Sequence, residues 1–82
     1  MENIKTLFCI KMEKNFIAQE KGYPRKPYDE YTLMFLMQRL QEEVDELRFA
    51  VFTQDFQDAR LECADVSNIT DYIFEKLAQK EG

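Results

Sequence analysis

Leu40-Gln41-Glu42-Glu43-Val44-Asp45-Glu46-Leu47 and Leu61-Glu62-Cys63-Ala64-Asp65-Val66 are the two stretches that decide the fold. Both lie in residues 28–81, a segment without Gly or Pro and rich in Leu, Met, Glu, Gln, Arg and Ala. Those are strong helix formers. Around the first stretch, apolar residues run Leu33, Leu36 or Met37, Leu40, Val44, Leu47, Val51. The steps alternate three and four, a coiled-coil-like seam. The pattern fades at Thr53, Gln54 and Asp55. It resumes as Ala59, Val66, Ile69, Ile73, Leu77 around the second stretch. The spacing therefore predicts two helices joined by a short turn, and short connections make helical neighbours antiparallel. Thr32 is the expected N-cap of the first, with Asp29 and Glu30 near its positive end. Asp55 is the expected cap of the second, with Lys76 and Lys80 suiting its C-terminal end.

Outward from this hairpin, apolar residues at Ile4, Leu7, Phe8, Met12, Phe16 and Ile17 suit one face of an earlier helix, about Asn3 to Glu20. Gly22 stands where a left-handed cap belongs. A loop, Lys21 to Glu30, follows and holds both prolines, Pro24 and Pro27. No alternating strand pattern occurs. The expected fold is all-α, a single domain over residues 1–82 with three helices.

The 82 residues bound what else the chain does. A chain this small is marginally stable alone and often relies on metal, disulfides or a partner subunit. Two cysteines do not build a disulfide framework. The longest uncharged run, Tyr31 to Gln38, is eight residues, too short to span a membrane. No apolar leader opens the chain, so the expected location is cytoplasmic, without a membrane or signal peptide. The net charge of −5 argues against a nucleic-acid partner. The lack of histidine excludes Ser-His-Asp and Cys-His triads and imidazole-liganded zinc.

The acids carry the chemistry. In an antiparallel hairpin, facing residues share a constant index sum. Glu43 with Asp65 and Glu46 with Glu62 both give 108, whose half, 54, falls at the turn. Glu43 and Glu46 lie one turn apart on one side of their helix, as do Glu62 and Asp65. The hairpin so brings four carboxylates together. Glu62 falls within the apolar stripe of its helix and Asp65 at its edge; Glu43 belongs to the row Leu36, Glu43, Ala50 beside the seam. Acids in a partly apolar place must protonate, pair with bases or bind a cation. Oxygen ligands suit Mg²⁺ or Mn²⁺. The alternative is a salt-bridge network, with Arg39 four residues before Glu43 and Arg48 or Arg60 neutralising others.

Glu-Glu-x-x-Glu followed by Glu-x-x-Asp, with Asn68 beyond, resembles the signature of the MazG-like all-α nucleoside triphosphate pyrophosphohydrolases. The resemblance covers about Met12 to Leu77. It implies hydrolysis of a nucleoside triphosphate to the monophosphate and pyrophosphate, with Mg²⁺ held by Glu43, Glu46, Glu62 and Asp65. Glu42 matches the first acid of the motif, as an acid supporting the ligands from behind or as an accessory base. Asn68 matches a polar position that contacts nucleotide. Close relatives often carry a tryptophan before helix two, where this chain has Tyr28. Lys21, Arg25 and Lys26, together in the loop, are candidates for the phosphates.

Cys9 and Cys63 read as small buried residues. Met34, Met37, Phe35, Phe49 and Phe52 read as core or interface. A helix apolar on more than one side is normally buried on more than one side. Helix one can cover only one flank of helix two, so a homodimer or tetramer is expected, its hairpins completing a four-helix bundle. The rival readings are a non-catalytic helical dimerisation module and a phosphoribosyl-ATP pyrophosphohydrolase-like enzyme.

Overall fold

The structure, a computed structural model, describes residues 5–20 and 31–81. They form α1 (Leu7–Glu20), α2 (Leu33–Phe52) and α3 (Phe56–Glu81), with no strand among the described residues. Asp29, Glu30, Gly22 and the rest of the loop lie outside them.

Each helix starts at a side chain that satisfies an orphan N–H. The Thr6 hydroxyl accepts from Cys9 N at 3.2 Å, which sets the start of α1. Thr32 Oγ1 accepts from Phe35 N at 3.0 Å, as its extended backbone allows. Asp55 Oδ1 accepts from Asp58 N at 3.1 Å and caps α3. The turn before it is a complete Schellman motif. Gln54 N–H donates to the Val51 carbonyl and Asp55 N–H to the Ala50 carbonyl, at 3.1 and 2.9 Å. That closure puts Gln54 at φ 61°, where glycine is the usual occupant.

α2 and α3 form the hairpin, and Leu36, Glu43 and Ala50 are the buried row of α2. Leu36 is 1% exposed and is the largest fully buried side chain. The seam predicted from spacing lies beside this row: Leu33, Leu40, Val44 and Leu47 are half-buried, and Val51 is exposed. On α3 the predicted stripe holds in part, with Ala59 buried, Val66, Ile69 and Ile73 half-buried and Leu77 exposed. Ala64 and Tyr72 are buried outside that stripe.

The reason is α1. Among the described residues it packs on α3 rather than on a flank of α2. Its tethers join Lys5 to Arg60, Lys14 to Asp65 and Lys11 to Asp71. They spread along α3 from Arg60 to Asp71. Ile10 is its buried apolar residue, while Leu7, Phe8, Met12, Phe16 and Ile17 are exposed. Tyr31 closes the far end of the hairpin, stacking on Phe35 at 5.3 Å and meeting the edge of Tyr72 at 5.4 Å. No described helix is long and apolar enough to cross a membrane.

Candidate metal centre

Midway along the hairpin, Glu43 of α2 and Glu62 and Asp65 of α3 each offer one carboxylate oxygen, all within 4.8 Å of one another. The helical period aligns the two α3 acids, and the antiparallel register sets Glu43 opposite them. Glu43 is 7% exposed and is the buried charged residue of the core. Glu62 and Asp65 are half-buried.

Two cations reach the edges of this group. Arg39 Nη2 donates to Glu43 Oε1 at 2.7 Å, and its Nη1 holds Glu42. Lys14 Nζ, from α1, donates to Asp65 Oδ2 at 2.7 Å. Glu62 receives neither. Its Oε2 is buried and accepts no hydrogen bond. Burial, then the neighbouring Glu46 and Asp65, push the Glu62 carboxyl up to about 7. Burial raises Glu43 as well, reinforced by Glu46 and Asp65 and opposed by Arg39. A carboxyl so placed is under-neutralised, since like charges and lost hydration both penalise its ionised form.

Of the acids expected to act together, Glu43, Glu62 and Asp65 converge. Glu46 is exposed, yet its carboxyl neighbours those of both Glu43 and Glu62. Glu42 lies on the solvent side, paired with Arg39. Asn68 is half-buried one turn after Asp65, with Oδ1 buried and without a partner. Lys21, Arg25 and Lys26 lie outside the described residues. Arg60 turns to the Lys5 carbonyl at 2.6 Å instead of to an acid.

Sequence spacing missed Lys14. Its one available signal is a lysine pair, Lys11 and Lys14, three apart on one side of α1 and able to face an acidic helix. Cys9 and Cys63 are exposed, contrary to the expected burial. Cys63 borders a surface crevice between α1 and α3 with Lys5, Leu7, Ile10 and Arg60.

The donor set fits a hard divalent ion on two counts. All three ligand atoms are carboxylate oxygens, and the buried Oε2 of Glu62 lacks any donor.

No protein-family profile and no solved structure matches the chain. An uncharacterized protein of Archaeoglobus fulgidus is 39% identical over 59 residues, 72% of this chain and 63% of that protein. The chain therefore spans less than two thirds of the relative that it resembles.

Proposed function

We propose that this chain is a Mg²⁺- or Mn²⁺-dependent nucleoside triphosphate pyrophosphohydrolase of the MazG-like kind, acting as a homodimer or tetramer. The observation that carries the reading is the convergence of Glu43, Glu62 and Asp65 from two helices around an oxygen without a donor. An ordinary salt-bridge network would place a base at Glu62, and Arg39 and Lys14 go instead to its neighbours.

Glu43, Glu62 and Asp65 hold the ion, with Glu46 beside them as the fourth acid. A hard divalent ion there offsets charge on phosphate oxygens and acidifies a bound water. Glu42, fixed by Arg39 at the rim, is the acid left for proton transfer. The Asn68 amide, one turn along α3, is the contact for nucleotide, and Lys21, Arg25 and Lys26 supply positive charge for the phosphates. Water attacks between the α and β phosphates. No protein nucleophile is required, which agrees with a chain that has no histidine.

The assembly follows from what α2 leaves uncovered. Met34 is 79% exposed and Phe52 82%, with Phe49 exposed beside them. A second hairpin laid on that surface makes the four-helix bundle. The same surface is the observation that favours the rival reading, a non-catalytic dimerisation module.

A panel of nucleoside triphosphates with Mg²⁺, scored for monophosphate and pyrophosphate, separates them. Pyrophosphate release supports the enzyme. Release of inorganic phosphate with a diphosphate product, or no turnover of any nucleotide, overturns it.

A further inference from the structure

α1 is held to the hairpin largely by charge. Among the described residues it packs on α3 alone, and Ile10 is its buried apolar contribution. Its ties include two ion pairs and one hydrogen bond: Lys11 with Asp71, Lys14 with Asp65, and Arg60 with the Lys5 carbonyl. One of these pairs ends on the acidic cluster itself. Lys14 Nζ sits 2.7 Å from Asp65 Oδ2, an atom of the residue that shares the 4.8 Å group with Glu43 and Glu62.

Both partners are half-buried, with side chains 32% and 31% exposed, so the ammonium is partly desolvated against the carboxylate. A single positive charge from a separate helix thus stands at one edge of the group. The opposite edge is held by Arg39, which belongs to α2 and so stays within reach of Glu43 whether or not α1 is docked. Lys14 is different: its backbone is joined to the cluster only through the docking of α1.

We propose that Lys14 is the built-in counter-cation of this cluster, exchanged for a divalent ion, so that ion binding and docking of α1 on α3 oppose each other. The inference rests on the cluster being a cation site. An ion drawing on Asp65 meets a carboxylate already engaged, through Oδ2, by an ammonium 2.7 Å away. It gains from Asp65 only what remains after that contact is weakened. By reciprocity, each ion bound loosens α1 by the factor that α1 costs the ion. Lys11 and Asp71 keep α1 near its place, so the helix loosens rather than departs.

The test is Mn²⁺ binding to the full chain without nucleotide, read from the free-ion paramagnetic resonance signal. Lys14→Met is expected to bind Mn²⁺ about threefold to tenfold more tightly than the parent, the scale of a half-buried ion pair. Lys14→Arg, which keeps the competing charge, is expected to match the parent. Equal or weaker binding by Lys14→Met overturns the exchange while leaving the cation site standing. If neither parent nor variants bind Mn²⁺, the cation site and the exchange both fall. Should Lys14→Met fold poorly, the parent chain decides alone. Backbone hydrogen exchange across α1 is expected to accelerate severalfold on adding Mn²⁺, with α2 unchanged or slowed. Unaltered exchange in α1 at saturating Mn²⁺ overturns the proposal.

Discussion

Glu46 on α2 faces Glu62 on α3 closely enough that its carboxylate disfavours ionisation of Glu62. Burial raises Glu62 further, and among the described residues no cation reaches it. Several properties of the chain turn on this pair.

Stability of the metal-free chain should fall as pH rises. Glu62 is raised to about 7 and Glu43 is raised too, so the folded state binds more protons than the unfolded one. That contribution is fully present below the unfolded carboxyl value and is lost as pH rises through about 7. After discounting for solvent screening it is on the order of 1 to 2 kcal/mol. The thermal midpoint should therefore be roughly 5 to 10 °C higher at pH 5 than at pH 8. Glu62→Gln should flatten most of that difference. A midpoint that climbs from pH 5 to pH 8 contradicts the account.

Glu62→Gln keeps the volume and deletes the charge. It should lower nucleotide turnover by at least about 100-fold, more than loss of an outer partner of a metal ligand typically costs. Its helix content by circular dichroism should match the parent. Parent-like turnover with unchanged Mg²⁺ dependence would remove Glu62 from the site.

Gln54 occupies left-handed backbone without being glycine. Gln54→Gly should raise stability by about 0.5 to 1 kcal/mol, the strain relieved exceeding the entropy added to the unfolded chain. Asp55→Ala should lower it by about 1 kcal/mol through loss of the α3 cap. Urea midpoints of the two variants moving in the same direction would contradict this reading of the turn.

The uncovered side of α2 should make stability depend on protein concentration, since dissociation and unfolding are linked. Sedimentation equilibrium at micromolar concentration should find at least a dimer. Phe49→Glu with Phe52→Glu should shift it toward monomer. A well-folded 9.9 kDa species in the parent would defeat the assembly.

Much of the hairpin was legible because its determinants are local. Thr32 and Asp55 cap by reaching three residues ahead, and the register of acids pointed to residue 54, where the backbone does turn. The convergence of Glu43, Glu62 and Asp65 follows from that register. What spacing did not reveal depends on α1. Lys14 meets Asp65 across 51 residues of sequence, and no helical period encodes that contact. Ala64 is likewise buried beyond the expected stripe, while Cys63 is exposed. Within α2, periodicity identified an apolar seam, but burial went to the adjacent row of Leu36, Glu43 and Ala50, which α3 covers.

The way α1 is attached also orders the assembly of the molecule in time. The turn at Gln54 closes within six residues, so α2 and α3 find each other through short-range encounters of the kind that are fast. α1 precedes both in the chain, yet among the described residues it packs on α3, the later of the two to be made. It therefore has no surface to dock on until the rest of the domain exists. α1 thus settles after the hairpin forms, and with Ile10 as its described buried apolar residue it is the helix that comes away most readily.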